Sequence, residues 1–208
     1  DRKKWARQSK LISVGLREQI QNTPVGDLLR QYLDNNVQLI TSMPLDAAKR
    51  VHKLVLENRI TGAKRATSLA EDIMAIGNIT RNKAKLIART ETSRIATELT
   101  KARAQVFGGD WYVWRTSEDI RVRKSHKKMD GCLVSWAEAP SPERLVGEKD
   151  YGNYHAGATF NCRCIADPFL DMTMVNWPAR VYYRGAIQRM NKGQFVNLFG
   201  EVDLLRAA

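Results

Sequence analysis

The chain has 208 residues, 43% hydrophobic and 27% charged, which is the balance of a globular protein rather than a disordered one and is enough for one sizeable core or a helical arm plus a smaller domain. No apolar run approaches the roughly 20 residues that a membrane-spanning helix needs, and no stretch reads as a secretory signal. The net charge of +12 is lopsided, with 20 Lys and Arg against 10 Asp and Glu through Arg103 and 14 against 12 beyond it, so a polyanion or an acidic surface is the expected neighbour of the first half.

In chain order, Asp1-Arg2-Lys3-Lys4 opens without a methionine, as a fragment of a longer product would. Asn22-Thr23-Pro24 is a helix start, and Leu28, Leu29, Tyr32 and Leu33 follow at helical spacing, continued by Val37, Ile40 and Met43. Pro44 interrupts that face. A new helix then carries Ala47, Val51, Leu54 and Val55 on one side and ends at Thr61-Gly62-Ala63. A short helix from Ser68 through Ile76 closes at Gly77-Asn78. The strongest helix runs from a cap at Thr80 to Val106, with Ala84, Ile87, Ala88, Ile95, Leu99 and Ala102 three and four apart and Gly108-Gly109 stopping it. Its polar face is basic, and Arg81, Lys83, Lys85, Arg94, Lys101 and Arg103 are the candidate contacts to nucleic acid or a partner. Ser68 to Arg89 also has the outline of a helix-turn-helix, although no third helix is evident beside it.

Beyond Asp110 the pattern turns to strands. Trp111 to Arg115 is aromatic and β-branched, Ile120-Arg121-Val122-Arg123 alternates apolar with basic, and Cys132 to Trp136 follows the Asp130-Gly131 turn signal. Ala137 to Phe160 reads as a long loop that needs an anchor, with Tyr151 and Tyr154 as candidates. After Pro168 a tail continues to Ala208, with a helix expected from Ala179 to Met190.

The chemistry-bearing side chains crowd into this half: His126, Asp130, Cys132, His155, Cys162 and Cys164. Thiolate and imidazole are preferred zinc ligands, and two cysteines one residue apart face the same way in an extended chain. The expected zinc set is His126, Cys162, Cys164 and His155. Against it stands the unusual spacing, which leaves room for a reading in which the cysteines are small buried hydrophobes. Three cysteines do not make a secreted disulfide framework and point to a reducing compartment. A metal-dependent nuclease would use His126 with Asp119 and Asp130, and a thiol hydrolase would pair Cys162 with His126 or His155. Neither has a supporting signature such as HExxH, a Gly-rich phosphate loop or a nucleophile elbow.

Several pieces occur in a telling order. Arg81-Asn82-Lys83-Ala84 leads to Ile87-Ala88-Arg89-Thr90-Glu91 on the long helix. Trp114-Arg115-Thr116, Asp119, Arg121-Val122-Arg123, Ser125-His126 and Asp130-Gly131 follow, and Asn161-Cys162-Arg163-Cys164 closes the set. This series resembles the phage Mu protein F-like minor head proteins over Ser68 to Asp167. The resemblance makes Arg89, Thr90, Glu91, Asp119, Asp130, Gly131, Asn161 and Arg163 structural motif residues. It implies a low-copy head component at the portal or in the capsid interior, acting in head assembly, genome packaging or delivery, and not an enzyme. The implied partners are the portal protein, the major capsid protein and packaged double-stranded DNA held without base reading, with several copies per head and no membrane contact in the mature head. The implied location is the virion, and the host cytoplasm during assembly. Within the pair Arg89 and Glu91, an internal ion pair orienting the helix is the preferred reading. His155 departs from the family pattern, which leaves Asp130 or a water as its substitute.

The resulting expectation is an α+β protein: an N-terminal helical region (1–66), a Mu F-like domain of long helix and small, mainly antiparallel sheet closed by the Asn-Cys-Arg-Cys motif (67–168), and a C-terminal tail (169–208) whose Val181-Tyr182-Tyr183 could anchor on a partner. The alternatives are a metal-dependent nuclease or hydrolase, and a helix-turn-helix DNA-binding protein.

Overall fold

The helix expected after Pro44 forms as α1 (Leu45–Thr61), followed by α2 (Leu69–Gly77) and the long α3 (Arg81–Val106). These belong to a computed structural model that describes residues 44–61, 68–106 and 108–203. The helix read between Pro24 and Met43 lies outside the described residues. Asn78 ends α2 in the left-handed region at φ 46°, a conformation Asn tolerates better than most residues. Thr80 then starts α3, its carbonyl accepting from Ala84 N at 2.9 Å and its hydroxyl from Lys83 N at 3.4 Å. Val51 and Val55 of α1, Leu69 and Ile73 of α2, and Ala84, Ala88 and Ile95 of α3 make one apolar cluster. The helical periodicity is thus realised as burial.

The chain divides into two compact units, one through Ala102 and one from Arg103 on. The second holds β1 (Trp111–Arg115), α4 (Lys124–Met129), β2 (Cys132–Ser135), β3 (Ile165–Pro168), β4 (Ala179–Tyr183), β5 (Ala186–Met190) and α5 (Lys192–Phe199). The strands form one sheet in the order β3-β1-β2-β4-β5. Neighbours are antiparallel except for β2 and β4, which run parallel with Leu133 opposite Val181. Helices in the first half and a mostly antiparallel sheet in the second make this the expected α+β fold.

Strand β1 lies inside the sheet, between β3 and β2, and is buried on both faces. Its alternation sorts the core: Tyr112 and Trp114 join Cys132, Val134 and Ala166 on one face, while Trp111 and Val113 join Leu133, Val181 and Phe195 on the other. The second face is covered by α5, whose Phe195 meets the Trp111 ring edge-on at 5.1 Å. Asn191 and Gln194 start α5 with a reciprocal capping box.

Two expectations are corrected. Ile120 to Arg123 is not a strand, because the Asp119 carboxylate accepts from Arg121 N at 2.9 Å and folds the segment into a turn, leaving Ile120 96% exposed. Ala179 to Met190 is not a helix but the β4–β5 hairpin. Its turn is Arg184-Gly185, both at positive φ (51° and 78°), the conformation that matches strand twist in a two-residue connection. Val181-Tyr182-Tyr183 is accordingly internal, with Val181 and Tyr182 buried in the core rather than offered to a partner.

Candidate functional site

The tyrosine-bearing face of the sheet is covered by the 137–160 loop and by α4. Turned inward from α4 are Ser125 and His126, 0% and 2% exposed. The residues just before β3 come back over the same face. Cys162 and Cys164 point into the core and Arg163 between them points out, the alternation that their spacing predicts for an extended chain. Asn161 sets this up at φ 51°, a left-handed residue placed immediately before the pair.

Both sulfurs converge on one atom. His126 Nδ1 lies 3.5 Å from Cys162 Sγ and 3.3 Å from Cys164 Sγ, and the three ligand atoms are all within 4.8 Å of one another. The other ring nitrogen, Nε2, is 3.0 Å from the Tyr154 hydroxyl, and that hydroxyl donates to Glu143 Oε1 at 2.6 Å. Ser125 donates to the same oxygen at 3.1 Å. Since the tyrosine proton is spent on Glu143, the His126–Tyr154 bond requires the proton on Nε2, and in the neutral ring Nδ1 then faces the sulfurs with its lone pair. The Trp114 ring packs edge-on against the imidazole at 5.5 Å.

Electrostatics follow the geometry. The Cys164 thiol, as a hydrogen-bond donor, pulls the Cys162 thiol well below the usual range against burial, and His126 adds to the effect. Cys164 is pushed up by the same pairing and by its own burial. Burial and the Glu143 carboxylate raise Tyr154, keeping it a donor. Burial pushes the Cys132 thiol up to about 12, and its sulfur points at the Leu133 carbonyl instead of the cluster.

His155 does not join the cluster: its Nδ1 is 3.2 Å from the Tyr112 hydroxyl, and its ring packs on Trp136. Tyr154 and His155 are adjacent, and turning the first toward His126 sends the second elsewhere. Asp130 is occupied as well, accepting Thr116 N at 2.7 Å, while Gly131 at φ 69° donates to the Trp114 carbonyl. Arg163 and Asp119 form a two-armed ion pair that fastens the cysteine loop to the Asp119 turn. Hydrogen bonds from Arg163 hold the Asp119 carboxyl down at about 2.

The expected Arg89–Glu91 pair is also corrected. Buried Glu91 binds Arg94 at 2.9 Å and His52 at 3.4 Å, while Arg89 is exposed; residues two apart on a helix do not share a face. Thr90 is buried beside Glu91. Of the basic candidates, Arg81 pairs with Glu71 and Arg94 with Glu91, whereas Lys83, Lys85, Lys101 and Arg103 are half-buried. Glu143 and Tyr154 are the site residues that sequence reasoning did not assign. Tyr154 stands out only as an anchor for a long loop, and Glu143 carries no pattern at all.

A match to the family described as phage Mu protein F like protein covers residues 49–167, more than half of the chain, and includes every residue of this cluster. The chain belongs to that family. Its Mu F-like segment runs from α1 to β3, so β4 and β5 complete the sheet, and α5 covers one face of it, from beyond the matched residues. A relative from Haemophilus influenzae, described as an uncharacterized protein, is 31% identical over 159 residues. That alignment takes in 76% of this chain and 33% of the relative, so the chain spans about a third of that protein's length. No solved structure matches. Membership in the Mu F-like family points to a phage head-related protein and to association with the virion. Among the described residues, no helix is long and apolar enough to cross a membrane.

Proposed function

We propose that this Mu F-like chain is a minor structural component of the phage head, seated at the portal vertex or in the capsid interior, and that it acts in head assembly and in genome packaging or delivery. The observation that carries this reading is the family match over residues 49–167. The site supports it, because the motif residues are spent on the fold. His126, Cys162, Cys164 and Glu143 are buried, and Arg163 and Asp119 bind each other. Excess basic charge through Arg103 suits a neighbour of packaged DNA, bound through phosphates without base reading. No catalytic residue is assigned. Copurification with portal protein, and with heads after nuclease treatment, tests the reading. A chain recovered only from the free cytosol of an infected or induced host would overturn it.

One observation favours a second reading, a metal-dependent hydrolase. His126, Cys162 and Cys164 help to line a cavity of about 120 Å³ whose lining includes Arg121, Arg123 and Arg163, a setting in which a metal-bound water would meet an anionic substrate. Metal-dependent DNA cleavage that disappears in a folded His126→Ala variant would establish this reading in place of the first.

A further inference from the structure

Two sulfurs converge on His126 Nδ1. An imidazole nitrogen has one lone pair and accepts one good hydrogen bond, yet both sulfurs lie at hydrogen-bonding distance from it. A single cation on that lone pair would serve all three atoms. The distances fit one: a tetrahedral zinc with Zn–S of about 2.3 Å and Zn–N of about 2.0–2.1 Å sets each sulfur about 3.5 Å from the nitrogen. The observed separations are 3.5 and 3.3 Å. The far side of the ring is prepared as well, since metal-binding histidines donate their other N–H to an oxygen that is itself held in place. Here that oxygen is the Tyr154 hydroxyl, fixed in turn by Glu143.

We infer that His126 Nδ1, Cys162 Sγ and Cys164 Sγ bind one zinc ion, with water as its fourth ligand on the cavity side. Among the described residues no further His, Cys, Asp or Glu joins this group, and the cavity is large enough for solvent. Arg123 lines the same cavity, and its Nη1 is buried without a hydrogen-bond partner. It is the group available to a zinc-bound oxygen. Thiols still protonated lose their protons to solvent as the metal enters. The ion ties α4 to the segment that leads into β3, closing the long loop between them. This inference stands apart from the head role, which survives its failure.

The test uses the whole chain, purified in reductant without chelator. Elemental analysis should find about one zinc per chain. After exchange, cobalt should give a tetrahedral spectrum with intense sulfur-to-cobalt charge transfer. Cys162→Ser and Cys164→Ser should each abolish or shift that band, while Cys132→Ala and His155→Gln should leave it in place. Wild-type protein that takes up neither zinc nor cobalt would overturn the proposal, as would metal binding that persists in the double Cys162→Ser, Cys164→Ser variant. If the cysteine variants do not fold, the wild-type cobalt spectrum still decides: without sulfur-to-cobalt charge transfer the ligand set is wrong.

Discussion

The Tyr154 hydroxyl donates to Glu143 and accepts from His126, so one oxygen serves two buried polar groups. Tyr154→Phe removes a partner from each while barely changing the packed volume. The expected cost is about 1–3 kcal/mol, the usual penalty for leaving a buried polar group unsatisfied. Urea unfolding measures it, and an unchanged midpoint would mean that the chain of hydrogen bonds is not formed. Asp119 offers a pH test with a defined sign. Its carboxyl is lowered from 3.8 to about 2 by hydrogen bonds from Arg163, so the pair stabilises the folded state above pH 3.8 and that contribution is lost as pH falls through about 2. NMR titration should place the Asp119 midpoint near the lower value in the wild type and return it toward the upper one in Arg163→Gln. A midpoint that ignores the substitution would contradict the ion pair. At this scale the sequence was informative wherever chemistry is local. Ligand types drew out His126, Cys162 and Cys164, but together with His155, which the fold turns toward Tyr112 and Trp136. Glu143 and Tyr154 were not assigned, because their roles arise only when a loop without periodicity folds across the sheet.

Elements were legible where one period dominated. The long helix kept its cap at Thr80 and its stop before Gly108, and Trp111 to Arg115 formed an interior strand because an aromatic and β-branched run suits a pleated surface buried on both faces. Ala179 to Met190 was misread because its apolar residues fit either period. Arg184-Gly185 settles the matter as a turn, with both residues at positive φ. Gly185→Ala separates the two readings by the sign of its effect. In the hairpin, a side chain at φ 78° costs about 1 kcal/mol or more, whereas in a helix interior alanine would gain about that amount over glycine. Urea unfolding of this variant should show a loss, and a gain would contradict the hairpin. Ile120 to Arg123 failed for a different reason. A strand pattern was present, but an aspartate carboxylate two residues before Arg121 captured the backbone first.

For the whole molecule, the family match and the structure divide the chain differently. The matched residues end at 167, inside β3, whereas the sheet needs β4 and β5 to cover the other edge of β2. Residues beyond the matched segment are therefore part of the same folded unit, and the α5 ring cluster around Trp111 depends on them. The first unit carries most of the net positive charge, which composition revealed directly, although ion pairs such as Arg94 with Glu91 take some of those cations out of reach of a partner. That charge suits the packaged DNA proposed as its neighbour. Whether this chain is a head protein is decided by the protein content of purified phage particles. Quantitative mass spectrometry of nuclease-treated, gradient-purified heads should find the chain in a few copies per head, at a constant ratio to the portal protein. Heads of full composition that lack it, with the chain recovered only from soluble host fractions, would rule out the head role.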